Sequence, residues 1–93
     1  MKSIISTDNR CYICHSCETI EIHHVFGGAN RKISERYGLT VPLCHYCHNE
    51  PPNGVHQNKE IRRKLQRKAQ KFAMLRYGWS VEDFRKLFGK NYL

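Results

Sequence analysis

The chain is poor in acid and has no long apolar run. Eight Asp and Glu stand against sixteen Lys and Arg, for a formal charge of +8. No stretch approaches the roughly 20 apolar residues that span a bilayer, which excludes a membrane-spanning helix. The amino end, Met1-Lys2-Ser3-Ile4-Ile5-Ser6, has no apolar segment of about 7–15 residues, so an exported precursor is not expected and the cytoplasm is the expected compartment. Internal repeats, low-complexity tracts and flexible linkers are also missing. With 93 residues there is room for one small domain and not for a two-domain enzyme. So short a chain buries too little apolar surface to stabilise a generous core, and a staple of some other kind is expected.

Cysteine and histidine are in excess, with five Cys and six His. In a reducing compartment clustered thiols read as metal ligands before disulfides, and five cannot all pair within one chain. Cys11-Tyr-Ile-Cys14 and Cys44-His-Tyr-Cys47 are two C-x2-C pairs. Each places two thiolates on one tight turn, and two such knuckles complete a tetrahedral structural Zn2+ site. Cys14-His-Ser-Cys17 has the same spacing; Cys11 with Cys14 is preferred because it leaves a longer connection to the strand that follows. Cys17 is then a free thiol. A Cys2His2 finger does not fit, because its second ligand pair would fall about 12 residues after the first. A redox role for Cys14 and Cys17 lacks a βαβ pattern, and zinc would consume the thiols that a Cys–His nucleophile needs.

Secondary structure follows from periodicity. Thr19 to Val25 alternates and is rich in β-branched residues, which predicts a strand, with Gly27-Gly28 as the turn after it. Ala29 to Tyr37 predicts a short helix stopped by Gly38, and Leu39 to Leu43 the returning strand. Pro51-Pro52-Asn53-Gly54 reads as a turn. From about His56 to Tyr77, Ile61, Leu65, Ala69, Phe72, Ala73 and Tyr77 recur at helical steps, and Gly78 is the natural stop. Ser80 and Asp83 have the spacing of a capping box for a last helix ending at Gly89, with Trp79 packed between the two helices. The expected class is α+β, a single domain over 1–93, with the knuckles and histidines in 10–56 and the basic and C-terminal helices in 57–93.

The charge is concentrated. Between Lys59 and Arg76 the only acid is Glu60, and this segment alone carries +7. A charge run is usually a solvated face, but here it is almost of one sign, and like charges at i,i+4 repel. Phosphates would neutralise that repulsion, so Arg62, Arg63, Arg67 and Lys71 are candidate DNA contacts, with affinity that falls steeply with salt. Arg31 and Lys32, beside the predicted strand end, add to them. Phosphate contacts position without reading sequence, so weak or structure-directed specificity is expected, on DNA that is branched or single-stranded among the options.

The order C-x2-C, strand ending in His23-His24, Gly-rich loop, C-x2-C with His48, then basic helix resembles the HNH endonucleases. His23-His24-Val25-Phe26-Gly27-Gly28 with Cys44-x-x-Cys47-His48 is similar to small phage-encoded members, and the likeness spans about residues 10 to 90. The resemblance implies a treble-clef-like ββα-metal fold, with a β-hairpin and a helix holding one catalytic divalent cation beside a structural zinc, and a phage-encoded protein working in a bacterial host. It makes His23 and His48 metal ligands and His24 the general base. Adjacent strand residues point to opposite faces, which agrees with different jobs for His23 and His24. The implied reaction is phosphodiester hydrolysis leaving 5′-phosphate and 3′-hydroxyl ends.

Two departures from the family pattern stand out. Many members have Asp at the position of His23, and imidazole there shifts preference from Mg2+ toward Mn2+, Ni2+ or Zn2+. The family's central Asn is missing from Gly38-Leu39-Thr40-Val41-Pro42, and Asn30 is the candidate to replace it by bonding the backbone near His24. His56, at the start of the long helix, is a third ligand to the catalytic metal, a donor to a substrate phosphate, or simply an exposed helix-start histidine. His15 and His45 read as surface or supporting residues. The rivals to a nuclease are a non-catalytic zinc-stabilised nucleic-acid-binding module and an adaptor whose basic helix docks an acidic partner. Neither has a use for His23, His24 and His48 together.

Overall fold

β-branched alternation produces the strand that the sequence predicts. The computed structural model describes residues 2–93, and in it β1 spans Ile20–His24 and β2 spans Thr40–Cys44. The two pair antiparallel, with His23 opposite Val41 and His24 opposite Thr40. β2 begins one residue later than predicted. Leu39 instead uses its amide to close the preceding helix, donating to the Ser34 carbonyl at 2.8 Å.

Between the strands lie a 3-10 turn, Gly28–Asn30, and helix α1, Arg31–Tyr37. Gly38 ends α1 in the left-handed region at φ 73°. A Cβ there would stand 2.6 Å from the Lys2 carbonyl oxygen, so glycine is needed for space as well as for conformation. The arm before the first knuckle runs past this corner, with the Ile4 amide donating to the Gly38 carbonyl at 2.9 Å and the Ser3 hydroxyl to that of Thr40. Ser34 is fully buried. Its hydroxyl donates to the Phe26 carbonyl at 2.8 Å and accepts from the Phe26 amide at 3.1 Å, which locks α1 to the end of β1.

β2 runs directly into α2, His45–Asn49, a helix too short to leave a periodic signal and absent from the sequence expectation. The long helix α3 is Lys59–Tyr77 and starts three residues later than predicted. The Asn58 side chain caps it by accepting from the Ile61 amide at 3.1 Å. Residues 50–58 fold back onto α2 as turns. α4, Val81–Phe88, has the predicted capping box, with Ser80 and Asp83 bonding each other's backbone, and ends at Gly89.

The core has two lobes. Around the hairpin and knuckles, Cys11, Leu39, Val41, Leu43 and Val55 are wholly buried. Behind the β1–α1 corner, Phe26 meets Phe84, Phe88 and Tyr92 at ring-centroid distances of 5.4, 4.9 and 4.8 Å, packing that adds about 0.5–1.5 kcal/mol per aromatic pair beyond area burial. Buried Gln70 of α3 ties down the tail by donating to Asn91 at 2.8 Å and accepting from the Tyr92 amide at 2.7 Å. Trp79, in the link between α3 and α4, packs on two tyrosines. It stacks on Tyr77 and meets Tyr37 edge-on, each at 4.8 Å, because the Tyr77 hydroxyl donates to the Tyr37 carbonyl and draws α1 and α3 together. Among the described residues no helix is long and apolar enough to cross a membrane.

Candidate functional site

Two separated C-x2-C turns become one cluster. Cys11, Cys14, Cys44 and Cys47 place their sulfurs within 4.8 Å of one another and could hold a structural metal such as zinc. Cys14 and Cys44 Sγ are 3.6 Å apart, against about 3.8 Å for two thiolates bound tetrahedrally at about 2.3 Å. The first knuckle is tied to β2 through the Tyr12 amide, which donates to Pro42 at 2.8 Å. Burial raises the Cys11 thiol, but the surrounding amides, led by that of Cys14, outweigh it and bring Cys11 down to about 6. Burial pushes the Cys47 thiol up. Cys17 is exposed and lies outside the cluster, in line with the choice of Cys11 over Cys17 as partner of Cys14.

A second cluster joins His23, His48 and His56, whose candidate nitrogens also lie within 4.8 Å of one another. The three rings form a near-equilateral group, with centroids 5.1, 5.1 and 4.7 Å apart. Nitrogens bound tetrahedrally at about 2.1 Å stand about 3.4 Å apart, so side-chain shifts of about 1 Å would close the group on a metal. His23 is 4% exposed, and its Nε2 is a buried polar atom with no hydrogen-bond partner. An orphan of this kind costs about 1–3 kcal/mol unless something satisfies it, and a metal ion would. Burial, with the charges of His48, His56, His24 and Arg62, holds His23 down to about 3, so its imidazole stays neutral as a ligand must.

His48 is oriented by a residue that sequence reasoning missed. Its Nδ1 donates to Glu21 Oε1 at 2.8 Å, which leaves Nε2 to face His56 Nε2 at 3.0 Å. A carboxylate behind a metal-binding histidine fixes its tautomer and raises its basicity. Glu21 also takes the Asn49 amide at 3.2 Å, and its other oxygen lies 3.3 Å from His45 Nδ1. The available signal was the period of β1, which puts Glu21 and His23 on one face. His45 bridges Glu21 and Glu50, a supporting position as expected, while His15 is exposed.

His56 reaches the cluster because the loop folds back. The Val55 amide donates to Cys47 at 2.8 Å and the His56 amide to His48 at 3.3 Å. Gly54 permits this approach, since a Cβ there would lie 2.7 Å from both the Glu50 nitrogen and oxygen. Arg62, expected to contact DNA, points its Nη1 at this loop and donates to the carbonyls of Val55 at 3.2 Å and His56 at 3.3 Å. Its main structural work is holding His56 in place. Burial, then the charges of His48 and Arg62, lower the His56 imidazole.

His24, next along β1, turns away from this cluster. Its Nε2 lies 2.8 Å from Glu35 Oε2, and the pair lines a shallow surface concavity with Arg31 and Lys32. Glu35 was also missed, because its partner is 11 positions away. Asn30 does not bond the backbone near His24. Its amide donates to the Phe88 carbonyl at 3.0 Å, joining the start of α1 to the end of α4. Arg63, Arg67 and Lys71 recur every four residues along α3 and are exposed, a continuous cationic stripe. No family model, curated protein or solved structure matches the chain.

Proposed function

We propose that the chain is a metal-dependent endonuclease of the HNH type that hydrolyses DNA phosphodiester bonds. The observation that carries it is the convergence of His23, His48 and His56 around the unpartnered buried Nε2 of His23, with His24 on the next residue. Three imidazole ligands with one exposed side make an open site of the kind that catalytic metals occupy. A divalent ion bound there would offset the negative charge that develops on the phosphate during attack. His24 accepts a proton from the attacking water as the new P–O bond forms and the bond to the 3′-oxygen breaks. Arg31 and Lys32, in the concavity of His24, hold flanking phosphates, and the Arg63, Arg67 and Lys71 stripe extends the contact. The all-nitrogen ligand set favours Mn2+, Ni2+ or Zn2+ over Mg2+.

Cleavage of supercoiled plasmid tests this, run with Mg2+, Mn2+, Ni2+ or no divalent ion on the wild type and His24→Ala. The expected result is divalent-dependent nicking that His24→Ala slows by about 10²–10⁴-fold with DNA binding intact. If neither protein nicks with any ion while both bind DNA, the chain is a zinc-stabilised binding module instead.

A further inference from the structure

We propose that Glu35 is the positioning residue of His24, fixing which nitrogen of the imidazole faces the reacting water. Its catalytic meaning rests on the endonuclease proposed above, whereas the pairing itself does not. A carboxylate only accepts hydrogen bonds, so the nitrogen it touches must carry the proton. With Glu35 Oε2 2.8 Å from His24 Nε2, the lone pair of the neutral ring is confined to Nδ1. Nδ1 is then the atom that takes the proton from water, and the imidazolium so formed faces a carboxylate that stays ionised throughout.

The surrounding fold holds this pair in place. The residue before Glu35 is Ser34, fully buried and bonded to both polar groups of Phe26, two positions beyond His24. α1 therefore cannot slide along β1 without breaking two buried hydrogen bonds. Arg31 lies one turn before Glu35 on the same helix, so phosphate-holding cation and orienting carboxylate share one rigid element. Surface shaping alone would predict a different outcome. An acid beside Arg31 and Lys32 weakens phosphate binding by its charge, so a Glu35 with no link to His24 would, when removed, only tighten DNA.

The test has two arms on the full chain with its metals. In the first, Glu35→Ala is expected to lower kcat by roughly 10–100-fold, part of the about 10²–10⁴-fold due to a general base, with KM for DNA unchanged or lower. Glu35→Gln, which keeps an acceptor, should recover part of kcat, and Glu35→Ala should slow His24→Ala no further. An unchanged kcat, or losses that add in the double variant, would overturn the proposal. The second arm needs no cleavage, since nitrogen-15 spectra of the histidine rings report where the His24 proton sits. Protonated Nε2 with unprotonated Nδ1 and an exchange-protected Nε2–H, the protection lost in Glu35→Ala, is the expected pattern. Protonated Nδ1 in the wild type overturns the assignment whatever the protein does to DNA. The expected pattern without any cleavage leaves the pair standing and removes the endonuclease.

Discussion

The cysteine cluster and the histidine cluster are neighbours built on opposite plans. Both draw on α2 and its cap: Cys44 precedes the helix, and Cys47 and His48 are consecutive on it. The first gathers four thiols from two knuckles, with backbone amides already turned toward the buried Cys11 sulfur. Four protein ligands complete a tetrahedron and leave no place for substrate, which is how a metal serves as a staple. The second gathers three imidazoles, one deeply buried with an unpaired nitrogen, one half-buried and bonded to a carboxylate, and one exposed. It stops one ligand short of closure and faces solvent through His56. Ligand number and exposure, rather than ligand proximity, separate the two clusters.

The difference can be broken most severely at the staple. Cys11→Ser or Cys44→Ser should abolish the cooperative fold, since structural zinc in small domains supplies apparent binding energies of about 10–16 kcal/mol. Near-ultraviolet circular dichroism and amide dispersion would both collapse, and a strong chelator should do the same to the wild type. A chelated protein that keeps its dispersion would show that the thiols hold nothing essential. His23→Ala should act on the other site alone, removing one bound Ni2+ or Mn2+ per chain in calorimetric titration while the zinc-loaded fold persists. Loss of the fold in that variant would merge the two sites into one structural unit. Glu21→Ala should leave the second metal bound about 10–100-fold more weakly, the usual cost of losing the group behind a histidine ligand.

The smallest effect belongs far from either cluster. Ser80→Ala should lower stability by about 1 kcal/mol in thermal unfolding and leave both metal affinities unchanged. Bonds from the Ser80 backbone and side chain hold the Asp83 carboxyl below its usual range. A carboxyl lowered by folding binds its proton later in the folded chain than in the unfolded one. Its contribution is therefore present at neutral pH, starts to fall at the ordinary aspartate range and is lost as the pH drops through the lowered value of the folded chain.

What the sequence made legible was whatever depends on neighbours along the chain. Gly38, Gly78 and Gly89 end helices as read, the Ser80–Asp83 box caps α4, and the hairpin lies where β-branched alternation put it. The choice of Cys11 and Cys14 rested on the length of chain available, a local property. Glu35 and the bonding of Arg62 were illegible because each depends on a partner brought close by folding, whereas Glu21 shared the face of His23 in the period of β1 and was overlooked. Arg62 looked like its neighbours in a basic run, and only the fold-back of residues 50–58 gives it two carbonyls to hold. Asn30 carried a turn signal and a family expectation, yet its side chain went to the end of α4. Trp79 stacks on Tyr77, two positions before it, but its second ring partner, Tyr37 of α1, is a contact that no local pattern announces.

The adjacency of Cys47 and His48 on so short a helix limits how this sequence can change over time. A helix turns about 100° per residue, so one residue inserted between them would swing the imidazole to another side of α2, away from His23. Substitutions around the two sites can be absorbed singly, but a change in spacing would separate them in one step. The spacing from Cys44 to His48 should therefore stay frozen wherever both clusters are kept.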